Sequence, residues 1–155
     1  MATDYSHTQR GILQPVLLVA AAACLAGAWF NRSVPPYGAV LSLAAAAVLL
    51  LSFAFATLTI ADGGDRLLVR FGPLVLFRKE IPYREIEAVE PARSPLLAGW
   101  GIHWTPRGWL WNVGGLDCVR IVIRGGKGML LGTDDPAGLL AFLRKRTGAG
   151  LSSAG

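Results

Sequence analysis

Three residues have the types that covalent catalysis would use. A thiol enzyme needs a cysteine, a histidine and a carboxylate in one place, and the chain offers Cys118, His103 and Asp117. Asp117 and Cys118 are neighbours in an alternating, β-branched run, so in a strand they point to opposite faces. Cys118 then faces a core, where a free cysteine behaves as a small hydrophobe. The other histidine, His7, lies in an N-terminal tail, and two histidines so far apart make no metal spacing. Gly125-Gly126-Lys127-Gly128 reads as a hairpin turn and lacks the spacing of a phosphate loop. No catalytic, cofactor-binding or metal-binding set is expected, and the chain does not read as an enzyme.

Residues that bind rather than react are denser. The stretch AGWGIHWTPRGWLWNVGG, residues 98–115, holds four of the five tryptophans. Thr105-Pro106-Arg107-Gly108 suits a type I turn. Trp109 and Trp111 are two apart and share a strand face; Trp100 and Trp104 lie across the turn and can pair with them. The hairpin is first a structural element. Tryptophan is also enriched at membrane interfaces and at binding hot spots, so Trp100, Trp104, Arg107, Trp109 and Trp111 form a candidate contact surface. A second set is basic: Arg66, Arg70, Arg78 and Lys79 follow the apolar segments and are candidates for facing lipid. Each basic group near an anionic surface is worth about 1 kcal/mol; ordinary positive-inside charge is the competing explanation.

The elements that position these residues divide the chain in two. Of its 155 residues, 53% are hydrophobic and 16% charged, where a soluble domain carries about a quarter charged residues. Arg32 is the only charge from Gly11 to Ala61. Gly11 to Phe30 and Ala39 to Ile60 are apolar runs long enough to cross a bilayer. Between them NRSVPPYG makes a short link that forces an antiparallel hairpin, with helices over about 11–30 and 39–57. Pro15 kinks the first helix or sits in its first turn. Its small residues, Ala20 to Ala23, Ala26 and Gly27, would let the helices approach closely or support a homo-oligomer. A cleaved signal peptide is the rival reading of the first run, but a second span follows at once. The basic residues place both termini and the C-terminal domain in the cytoplasm. The two cysteines build no disulfide framework, and a net charge of +5 is too mild for a nucleic-acid binder.

Beyond residue 58 the pattern changes to short strands. TLTIADGGDRLLVRFG reads as a hairpin through Asp62-Gly63-Gly64-Asp65. Strands follow at 74–82, 84–92, 101–104, 108–113, 117–124 and 127–133. Glu85, Glu87 and Glu90 read as an exposed strand face. DDPAGLLAFLRKR is an amphipathic helix with Asp135 as N-cap and Pro136 at its first position. VRFGPLVLFRKEIPYREIEAVEP, GWGIHWTPRGWLWNVGGLDCVRI and LLGTDDPAGLLAFL resemble the bacterial pleckstrin-homology-like domain family, over residues 58–146. Members of that family often follow a pair of transmembrane helices. The resemblance implies a seven-stranded antiparallel β-barrel or sandwich capped by a C-terminal helix. The expected organisation is thus a tail (1–10), a transmembrane helical hairpin (11–60), a pleckstrin-like domain (61–147) and a flexible tail (148–155). Phosphoinositide binding, which the family's eukaryotic relatives perform at the first hairpin, is not expected here, because that turn carries two acids. The expected function is a membrane-anchored α+β interaction module in the bacterial cytoplasmic membrane. It presents a cytoplasmic surface to a protein partner; an anionic-lipid surface sensor is the alternative.

Overall fold

A computed structural model describes residues 5–95, 99–125 and 127–148. Two antiparallel helices lead the fold, α1 (Leu13–Phe30) and α2 (Pro35–Ala54). Both are long and apolar enough to cross a membrane. Their outward side chains are bare: Val19, Leu43 and Phe30 are 71%, 74% and 82% exposed. Where the helices meet, small residues dominate, with Ala21 and Ala45 fully buried. Pro15 lies in the first turn of α1 and leaves the helix unbroken. The link is shorter than expected, because Pro35 and Pro36 open α2 instead of preceding it. A proline at the first helical position loses no hydrogen bond. The helix ends at Ala54 rather than near 57, since the chain enters a strand at Thr57.

The N-terminal segment is no tail. Ser6–Arg10 forms strand β1, which runs antiparallel to β2 (Thr57–Asp62) from Ser6↔Ala61 to Arg10↔Thr57. Strands β3 (Arg66–Phe71) and β4 (Arg78–Pro82) complete a four-stranded sheet in the order β1-β2-β3-β4. The two helices are therefore an insertion between neighbouring strands of one sheet. The domain begins before the helices, and its second strand starts ahead of residue 61. The Gly11 and Ile12 amides donate to the carbonyls of Ala56 and Val113, which ties the helix entry to both sheets.

The second sheet holds β5 (Ile86–Arg93), β6 (Gly101–Thr105), β7 (Gly108–Asn112), β8 (Asp117–Ile123) and β9 (Lys127–Gly132), in the order β5-β8-β9-β7-β6. The sheets differ from the expectation in two ways. Nine strands occur among the described residues, and β7 and β9 are parallel. The sheets also remain separate, so the domain is an open sandwich rather than a closed barrel. The segment expected to be a strand from Leu74 forms one only from Arg78, because Gly72 and Val75 take positive φ values of 54° and 45°. Such a backbone cannot extend.

One core joins the two sheets. Leu58, Val69, Phe71 and Ile81 of the first meet Trp111, Val119, Ile121 and Leu131 of the second. Helix α3 (Pro136–Thr147) adds Leu139 and Leu143, both fully buried. Asp135 caps it as expected, its carboxylate accepting from the Gly138 amide at 3.0 Å. The tail expected beyond Gly148 lies outside the described residues.

Candidate functional site

The β6–β7 hairpin separates its tryptophans by distance from the core. Register pairs Ile102 with Trp111 and Trp104 with Trp109, so these four side chains share one face. Trp111 meets Phe71 of the other sheet at 5.3 Å between ring centroids and is 9% exposed. Trp104 and Trp109 pack edge to face at 5.4 Å, and they remain 68% and 49% exposed. β6 is also an edge strand, with one row of backbone groups free to pair. Arg107 projects at the exposed turn tip. The turn itself is locked. The Thr105 hydroxyl donates to the Gly108 carbonyl at 2.7 Å, and Gly108, at φ 114°, passes so close to β9 that a Cβ there would lie 1.8 Å from the Gly128 carbonyl oxygen. Trp100 belongs elsewhere: it stands beside Leu13, Leu17 and Leu51 at the helix ends. Trp104 is four residues further along, roughly 13 Å.

Where the sheets diverge they leave a cleft of about 680 Å³. Ile102, Trp109, Trp111 and Met129 form one wall; Phe77 and Lys79 form the other. Phe55, just past α2, stacks on Phe77 with centroids 5.5 Å apart. Phe55 and Ile102 also border a second space of about 300 Å³ that reaches Leu13, Leu17 and Leu51 of the helices.

The basic candidates do not form one patch. Arg66 lies at the far end of β3, about six residues or 20 Å from the helix ends. It is ion-paired to Asp65 at 2.8 Å and to Glu80 at 2.9 Å, and its guanidinium holds the Asp65 carboxyl below the ordinary range. Arg70 and Arg78 are cross-strand neighbours near the helices, and neither forms an ion pair among the described residues. Lys79 pairs in register with buried Val69 and points to the inner face, where it lines the cleft.

Between β3 and β4 lies a feature that the strand reading concealed. Leu74, Val75, Leu76 and Phe77 are 46%, 41%, 58% and 40% exposed. The loop starts against the end of α2, where a Cβ on Gly72 would come within 2.4 Å of the Phe53 carbonyl oxygen. The available signal was four consecutive apolar residues after Gly-Pro with no alternation, a pattern that a half-buried strand does not need.

The catalytic trio is dispersed. Cys118 packs with Leu110 and Leu130, and burial pushes its thiol up to about 11. His103 shares a face with Leu110 on β6, three strand spacings or about 14 Å from Cys118. Its Nε2 lies 2.7 Å from the Trp100 carbonyl. Asp117 turns outward to Arg93 at 3.4 Å. His7, on β1, contacts Asp134 beside α3.

Among proteins of known family, no family model matches this chain, and no curated protein sequence is similar to it.

Proposed function

We propose that this chain is a membrane-anchored interaction module with a pleckstrin-homology-like domain on the cytoplasmic face of a bacterial inner membrane. α1 and α2 would be its two crossings. An even number of crossings returns the chain to its starting side, and the pairing of β1 with β2 across the helices supports that arrangement. The positive-inside bias assigns that side to the cytoplasm. The surface offered to a protein partner is the outer half of the β6–β7 hairpin. The exposed Trp104–Trp109 pair carries this reading. Paired aromatics beside a free strand edge fit an extended segment, which adds backbone hydrogen bonds along β6 while its side chains pack on the indoles. Arg107 at the tip favours a segment with an acidic residue.

Site-specific photocrosslinking in native membranes tests this. A benzophenone side chain replaces Trp104 in the full chain, and Leu68, on the other sheet, serves as the control position. One stoichiometric protein adduct is expected from position 104, absent from position 68 and lost with Trp109→Ala. Identical adducts at both positions would remove the hairpin as the contact surface.

The exposed Leu74–Phe77 loop beside α2, with Arg70 and Arg78 adjacent, supports a second reading, an anionic-lipid surface sensor. In nanodiscs, amides of residues 72–78 would then gain hydrogen-exchange protection when phosphatidylglycerol is added and lose it in high salt. Protection independent of lipid charge would eliminate the sensor.

A further inference from the structure

The cleft between the sheets is large and apolar, and it reaches Phe55, the residue that follows α2. At roughly 30 Å³ for a water-sized group, 680 Å³ holds on the order of twenty methylene-sized groups, and it lies within the size range of small-molecule sites. Its walls are aromatic and aliphatic, with Lys79 the only charged side chain among the described residues that line it. This chemistry selects among occupants. A sugar would bring donors and acceptors that Lys79 alone cannot satisfy, and burying such groups unpaired is costly. A hydrocarbon chain has none. Proximity to the helices indicates where it would come from. Phe55 and Ile102 border both the cleft and the space beside Leu13, Leu17 and Leu51. Phe55 and Ile102 therefore stand between the helix flank and the cleft, and a chain leaving the leaflet would pass them.

We propose that the cleft takes one acyl chain of an anionic phospholipid drawn from the adjoining leaflet, with Lys79 meeting its head group. The second acyl chain stays in the bilayer. Phe55 and Phe77 form the threshold, and Ile102, Trp111 and Met129 line the inner end. Occupancy covers the apolar walls that the open sandwich leaves bare. It also couples the domain to the lipid composition of its membrane. The inference rests on the reading of α1 and α2 as membrane-spanning.

The test uses the full chain in phosphatidylethanolamine nanodiscs doped with a phosphatidylglycerol that carries a mid-chain diazirine. After photolysis, adducts are mapped by peptide mass spectrometry. Adducts on Ile102, Trp111 or Met129, in addition to those on α1 and α2, are expected. Adducts confined to the two helices would overturn the acyl-chain site while leaving the membrane reading intact. Adducts nowhere would overturn both. Ile123→Trp narrows the cleft and should lower the inner adducts about ten-fold, with helix adducts unchanged. Should that variant misfold, Lys79→Gln, a substitution on an exposed strand, should lower them about five-fold, the equivalent of one surface charge near a head group. Wild-type yield of inner adducts in both variants would overturn the proposal.

Discussion

The sandwich has two unlike sides. On one, the gap between the sheets is filled. Leu139 and Leu143 of α3 are fully buried there, and the helix is fastened at both ends. At its start, the hydroxyl of Tyr5 in the N-terminal segment donates to Asp135 at 3.4 Å, and the Tyr5 ring stacks on Phe142 at mid-helix, at 5.0 Å. Near its end, Asp62 accepts from the Tyr83 hydroxyl at 2.8 Å and pairs with Arg146 at 3.6 Å. On the other side no element among the described residues fills the gap. β4 and β6 are edge strands, Phe77 and Trp109 remain half-exposed, and the sheets part around the cleft. A well-packed gap supplies stability, whereas an unfilled apolar gap retains free energy that a ligand can release. The open side also carries Trp104, Arg107 and Lys79.

If the closed side carries the stability, Leu143→Ala has the largest effect, a loss of about 3 kcal/mol from the cavity it leaves. Denaturant titration of the detergent-solubilised chain measures it. An equal loss from Ile123→Ala, on the cleft, would break the comparison. Asp62→Ala follows at about 2 kcal/mol, because it leaves the Tyr83 hydroxyl without its acceptor and removes the Arg146 ion pair. Tyr83→Phe, which removes only the donor, costs about 1 kcal/mol.

The pH dependence is smaller and sharpens the contrast between packed core and open cleft. Burial raises the Cys118 thiol from its ordinary 9.0 to about 11. The unfolded chain therefore loses this proton first, so stability is intact below pH 9 and falls between about 9 and 11. Burial and the Asp62 hydrogen bond push Tyr83 up as well, which adds loss of the same sign at higher pH. Midpoints for wild type and Cys118→Ala should diverge from the ratio at pH 8 only above pH 9. A constant difference would place Cys118 in a wetter site. Last in size, Trp109→Ala costs no more than about 1 kcal/mol of folding, the scale of an exposed aromatic pair, while it abolishes the crosslink from position 104. A larger stability loss would make the pair part of the core.

Much of this was legible because periodicity is a local property. The two apolar runs, the Asp62–Asp65 turn, the Thr105–Gly108 hairpin and the Asp135 cap all depend on residues within a few positions of one another. The site was half legible. Two-residue spacing places Trp109 and Trp111 on one face, but spacing does not say which of them the opposite sheet covers. Trp111 packs against Phe71 and Trp109 remains half-exposed. Arg66 and Lys79 looked equivalent as basic residues near the helices. Glu80 and Asp65 neutralise the first, and strand register turns the second inward.

The sequence by itself determined the two long apolar helices, their antiparallel return, the run of short strands after residue 57 and the C-terminal amphipathic helix. Hydropathy and turn chemistry act over short ranges and so can be read along the chain. Only the tertiary structure decided that Ser6–Arg10 is a strand of the same sheet as Thr57–Asp62, that β7 and β9 run parallel, and that the sandwich stays open beside the helices. A fragment starting at Ala61 would lose β1 and most of β2 and would expose β3 as a new sheet edge. Pairing between strands fifty residues apart depends on backbone hydrogen bonds that almost any side chain permits, so it leaves little trace in the residues that make it.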